Sequence, residues 1–149
     1  MGIKIIYNNK KAYHEYIISE KLEAGVCLLG TEVKSCRAGK VNLSDGWVDV
    51  DKDLEPWLVD SYIGKYTHGN VHNHEEKRRR KLLLNRKEII KLTQRMYEKG
   101  LTVVPLKMYF KGQHIKVEIG LGKGKKLHDK RQASKEKDAN REIARAMKG

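Results

Sequence analysis

His68, His72 and His74 stand in an H-x3-H-x-H spacing, with Glu75 and Glu76 directly after them. Imidazole is a common zinc ligand, and one loop carrying three of them could close a tetrahedral site. The surroundings favour a plainer reading, a polar loop whose histidines face solvent or phosphate. No paired CxxC accompanies them, and the two carboxylates sit in charged company that gives no reason for a shifted pKa. No metal and no cofactor are expected. Gly120, Gly122 and Gly124 invite a phosphate-loop reading, but a P-loop runs into Lys-Ser/Thr at a helix start, whereas Lys125 is followed by Lys126. A dinucleotide fingerprint fails as well, because its third glycine is absent at the required spacing. No Ser/His/Asp or Cys/His order stands out, so the chain is expected to bind rather than to catalyse. The run KRRRK, residues 77–81, is the feature with chemical force. Five like charges repel one another, and a nearby anion relieves that repulsion. Arg78, Arg79, Arg80 and Lys81 are therefore candidate phosphate contacts.

Global charge points the same way. The 149 residues carry 32 Lys and Arg against 19 Asp and Glu, a net charge of +13. Such an excess favours an anionic partner, with nucleic acid the default. Apolar runs such as LTVVPL are far short of the ~20 residues that cross a bilayer. The opening MGIKIIYNNKK has no apolar stretch of signal-peptide length, and Ile6 stands where a myristoylation signal wants Ser or Thr. A cytoplasmic chain with no membrane partner is expected, its Cys27 and Cys36 read as two buried free thiols. Aromatic residues include a single Phe and form no RNP-like motif. Recognition should lean on backbone charge and shape more than on stacked single-stranded bases.

These residues need elements to hold them. From residue 16 to 28 the even positions are mostly apolar, a period of two that makes a half-buried strand with Ser19, Lys21 and Glu23 on its other face. GTEVKSCRAG then reads as a short helix, capped by Thr31 and stopped by Gly39. Residues 43–50 and 55–63 read as strands around an acidic turn, with Pro56 at a strand start where a missing donor is tolerated. Residues 64–81 lack periodicity and read as a long loop. A second helix begins at Asn85 with Glu88 at the capping-box position, carries Ile89, Leu92 and Met96 as its apolar stripe, and ends at Gly100. LTVVPLKMYF and HIKVEIGL alternate and form a hairpin. Short strands with two or three short helices suit a mainly β fold, an OB-type antiparallel Greek-key barrel, with a ferredoxin-like sheet as the alternative. A boundary is expected near residue 122, separating a barrel (1–122) from a basic tail (123–149) with ten Lys or Arg against four Asp or Glu. Its face of Ala139, Ile143, Ala146 and Met147 buries little, so the tail should be disordered when free and fold only on a partner. The three glycines would be the hinge between them.

NNKKAYHEYII, EAGVCLLGTEVKSCRAGKVNLSDGW, RKLLLNRKEI, KGLTVVPLKMYF and KVEIGLGKGKKLHDKR resemble, in order and spacing, the SmpB family of bacterial SsrA (tmRNA)-binding proteins. The resemblance implies an OB-type barrel that carries the tRNA-like domain of tmRNA into stalled ribosomes for trans-translation. Its partners would be tmRNA, the 16S rRNA decoding centre and the mRNA channel, with elongation factor Tu and alanyl-tRNA synthetase reached through tmRNA. It also implies that Asn9, Glu23, Leu83 and Asn85 contact RNA, joined by the basic residues Lys10, Lys11, Lys34, Lys123, Lys125 and Lys126. His128, Asp129, Lys130 and Arg131 match the family's decoding-centre segment, and Ile143 and Met147 would line the tail helix in the empty mRNA channel. Two stretches depart from the family pattern. NHEEKRRRKLL lacks the usual Asp-Pro-Thr-Arg before the leucines, and DGW replaces a common Asp-Ser-Tyr.

Overall fold

The hairpin read from alternation is one of the two long pairings of the fold. In a computed structural model that describes residues 2–67 and 72–125, β8 (Thr102–Lys111) and β9 (His114–Gly124) pair antiparallel across a turn. Gly112 takes φ +63 there, a left-handed conformation that suits glycine. On its other side β9 pairs with β2 (Tyr16–Val26), whose even positions turn inward as expected. β2 continues into β7 (Arg80–Leu83), β7 into β5 (Pro56–Val59), and β5 into β4 (Trp47–Val50). β1 (Ile3–Asn8) adds to the outer side of β8. The result is an antiparallel sheet of order β1-β8-β9-β2-β7-β5-β4 with a two-stranded ribbon, β3 (Val41–Asn42) and β6 (Tyr62–Ile63), beside it. Strand β4 comes back to lie near β8, so the sheet curls into the OB-type barrel.

Three helices belong to the described residues: α1 (Lys10–Glu15), α2 (Gly30–Arg37) and α3 (Arg86–Lys99). Helix α3 starts and stops as its sequence dictates. Asn85 accepts from the Glu88 N–H at 2.9 Å, Glu88 accepts from the Asn85 N–H at 3.1 Å, and Gly100 ends the helix at φ +61. Its Leu92 enters a core built from Leu43, Leu58, Ile63, Leu82, Met108, Ile119 and Leu121. At α2 the cap differs from expectation. Glu32, not Thr31, takes the free N–H of Leu29 at 2.8 Å, and the Thr31 hydroxyl is engaged by His74 Nδ1 at 2.9 Å.

Residues 3–15, for which the sequence reading named no element, form β1 and α1 because β8 and the Asn9 cap hold them. Three further expectations are corrected. Residues 64–81 are not all loop, since β7 begins at Arg80. Cys36 is buried against Met108, with burial pushing its thiol up to about 12, but Cys27 is exposed. Finally, Gly120 and Gly122 are not a hinge. They lie inside β9, paired on both sides. A Cβ on Gly120 would come within 2.7 Å of Leu106 Cδ1, and one on Gly122 within 2.8 Å of Tyr16 Cβ. Glycine is there because neighbouring side chains cross over the strand. The ladder runs past residue 122 to Gly124, and Lys125 then donates from its N–H to Glu15 O at 2.8 Å and from Nζ to Tyr13 O at 2.7 Å.

Candidate nucleic-acid interface

Strand parity puts Glu23 on the outer face of β2, where its carboxylate does not stand alone. The Tyr109 hydroxyl donates to Glu23, and Lys111 Nζ lies 3.2 Å from Glu23 Oε1. The Tyr109 hydrogen bond, with Lys111 helping, holds the Glu23 carboxyl below the usual carboxylate range. Tyr109 and Lys111 escaped the sequence reading of this site. Their odd parity in β8, opposite Met108, was the available signal.

Leu83 pairs with Gly25, two residues along from Glu23. Its Cβ would be 3.1 Å from a Cβ on Gly25, so Leu83 projects from the same outer face as Glu23. It is 53% exposed, whereas its neighbour Leu82 is core. Asn85 follows two residues later, exposed but committed to capping α3. Glu23, Leu83 and Asn85 are thus gathered along adjoining strands. Asn9 is not available in the same way. It is 2% exposed, donates from its side chain to Pro105 O at 2.8 Å and Leu43 O at 3.2 Å, and accepts from the Ala12 N–H. Its side chain pins α1 to the barrel, so Asn9 already has structural partners at the position where an RNA contact was expected.

The basic run resolves differently from its sequence. Glu32 is wholly buried, and its two oxygens accept from Arg78 Nη2 and Arg80 Nε, each at 2.6 Å. Arg80 is itself wholly buried and also donates to Ser61 O at 2.7 Å and Glu76 O at 3.1 Å. Burial pushes the Glu32 carboxyl up, but hydrogen bonds from Arg78, the Leu29 N–H and Arg80 more than offset it and leave it lowered. Arg79 lies 4.9 Å over the Trp57 ring and 3.3 Å from Asp49, and Lys81 lies 2.8 Å from Glu55. The anions that relieve the run's repulsion are therefore the protein's own carboxylates. Arg80, expected as an RNA contact, is wholly buried in this network.

Lys10, Lys11, Lys34 and Lys123 lie at the surface. Lys10 and Lys11 are exposed on α1, Lys11 near Asp45 at 3.4 Å. Lys34 is exposed on α2 with its Nζ 5.1 Å over the Tyr66 ring. Lys123 is exposed and sits opposite Ile17 in the β2–β9 ladder. His74 is buried between Thr31 and Ile63 O, 2.8 Å from its Nε2, rather than facing solvent, His72 is exposed, and His68 lies outside the described residues. Among the described residues no group of three His, Cys, Asp or Glu is placed to hold a metal. Lys126, His128, Asp129, Lys130, Arg131, Ile143 and Met147 lie outside the described residues.

Residues 6–149 match the family model described as SmpB protein. The chain belongs to the SmpB family. Its relatives include SsrA-binding proteins of Pelobacter propionicus, 57% identical over 99% of this chain and 97% of the relative, and of Carboxydothermus hydrogenoformans, 53% identical over 97% of each. A solved structure from work on tmRNA-SmpB at the center of the bacterial ribosome is 44% identical, with TM-score 0.69, covering 83% of this chain and 87% of that one. In this chain the outer face of β2 and β7 carries the Glu23 carboxylate and the exposed Leu83, with Lys111 and Lys116 near Glu23 and the α3 cap following β7.

Proposed function

We propose that this chain is the tmRNA-binding adaptor of trans-translation. It clamps the tRNA-like domain of tmRNA on the β2–β7 face and delivers it to stalled ribosomes in the cytoplasm. The observation that carries the reading is an SmpB-family match over residues 6–149, supported by a fold in which Glu23 and Leu83 share the outer face of adjoining strands and Asn85 follows β7 as the cap of α3. Glu23 is suited to accept from base amino groups, and its ionised state is favoured by Tyr109 and Lys111. Leu83 offers an apolar contact to a base or ribose. No step in this role makes or breaks a bond, so the protein acts as a binder and not as a catalyst. The segment after Lys125 would test whether the mRNA channel is empty. His128, Asp129, Lys130 and Arg131 would sit at the decoding centre, and Ile143 and Met147 on a helix in the channel.

Purification of the full chain from cells, followed by sequencing of the RNA that comes with it, tests this reading. One structured RNA, tmRNA, should dominate. A broad mixture of rRNA or mRNA fragments would instead mark a general ribosomal RNA-binding protein and sink the adaptor reading.

A further inference from the structure

Beside Leu83 the barrel surface is hollowed into a groove of about 230 Å3. Gly25, Leu28, Val33 and Leu83 form its walls, and Gln113 and His114, at the tip of the β8–β9 hairpin, stand at its rim. Leu28 and Val33 are half-buried, so their side chains serve both the core and the groove. The absent side chain at Gly25 keeps the floor open, since a Cβ there would press on Leu83 at 3.1 Å. The volume is below the ~300–1,000 Å3 that encloses a drug-sized molecule, and it suits a single flat ring.

We propose that this groove takes one unstacked nucleobase of the bound RNA, with Gln113 and His114 as specificity-determining residues. The proposal rests on the tmRNA-binding reading and deepens it. Structured RNA is read at loops and bulges whose bases splay out, lie against side chains and present their edges for hydrogen bonding. The apolar walls accept the faces of a ring. The Gln113 amide supplies donors and an acceptor, and the His114 ring supplies another of each, so both can address a base edge. Lys116, also lining the groove and opposite Gly25 in the ladder, provides the cation for the phosphate that accompanies the base. A chain of net charge +13 favours this anionic occupant over an apolar peptide side chain.

The test uses the full chain and the tRNA-like half of tmRNA. Gln113 is exposed in the turn and His114 is exposed at the first position of β9, so changing both to alanine should leave the melting temperature unchanged. Affinity should fall roughly tenfold. Chemical probing should show one unpaired base, protected by the wild-type chain, becoming reactive again at its base-pairing edge. Gly25→Ala, which narrows the floor, should expose the same base. Lys116→Ala should weaken binding while leaving that base protected. If every base stays protected in the double variant while Glu23→Gln still weakens binding, the groove assignment falls alone. If neither change alters affinity, the tmRNA reading falls with it. A protein crosslink from position 114 on the ribosome, with base protection unchanged, would give the groove to a peptide and overturn the proposal.

Discussion

At the scale of single residues, two side chains proposed to bind RNA also serve the fold, and substitutions have to separate the roles. Glu23→Ala removes the acceptor of the Tyr109 hydroxyl, which belongs to a residue only 2% exposed, so it disturbs the barrel as well as the RNA face. Glu23→Gln keeps an acceptor for Tyr109 and loses the charge. It should melt near the wild-type temperature yet bind tmRNA more weakly, by about 1–3 kcal/mol in a titration. Asn85→Ala would cost about 0.5–2 kcal/mol of stability through the lost cap. Asn85→Ser keeps a capping oxygen, so weakened tmRNA binding with unchanged melting in that variant would isolate the RNA contact. Unchanged affinity in both Glu23→Gln and Asn85→Ser would remove these residues from the interface.

Among the elements, β7 and β9 show how charge and glycine are used inside the fold. Arg80→Ala leaves Glu32 buried beside only Arg78 and should cost about 3–5 kcal/mol in urea unfolding, whereas Arg79→Ala, at the surface, should cost about 1 kcal/mol or less. The same network sets a pH dependence. The folded-state pKa of Glu32 is lowered, so its carboxylate contributes stability above the unfolded carboxyl's pKa of about 4.3. That contribution is lost as pH falls through the lower folded value. The Arg80→Ala variant should show a smaller acid-dependent loss, because Arg78 and the Leu29 N–H still hold the carboxylate, and melting curves between neutral and acid pH would detect the difference. In β9, Gly120→Ala and Gly122→Ala should each destabilise by about 1–3 kcal/mol, because the new methyl meets Leu106 or Tyr16. Gly124→Ala meets nothing within 4 Å and should be neutral. Equal melting of all three variants would contradict the close crossing of side chains over β9.

For the whole molecule, the division between barrel and tail decides where a truncation is informative. A cut after Gly122 would remove the last rungs of the β2–β9 ladder and the bonds from Lys125 to α1. A cut after Lys125 removes eight Lys or Arg and four Asp or Glu and leaves those contacts whole. That shorter chain should melt as the full chain does and bind tmRNA, somewhat more weakly at low salt because long-range attraction is reduced. It should fail to support peptide tagging on stalled ribosomes in a reconstituted translation assay. Full-rate tagging, or complete loss of tmRNA binding, would show that the two halves do not divide the work this way.

Period and capping chemistry were legible from the chain alone. The β8–β9 hairpin, the inward face of β2, α3 with its Asn85 and Glu88 box, and the mainly β class all follow from alternation and local hydrogen-bonding rules acting within a few residues. What a linear reading could not decide was the partner of each charge. Residues 77–81 look like an anion site because their counter-ions are distant in sequence: Glu32 lies 48 residues before Arg80, Asp49 30 before Arg79. Asn9 looks free for the same reason, its acceptors being Leu43 and Pro105. Glycines at alternate positions read as a hinge until Leu106 and Tyr16, from neighbouring strands, occupy the space above them. Local geometry is written in neighbouring residues, whereas charge pairing and close packing depend on which distant strands the fold brings together.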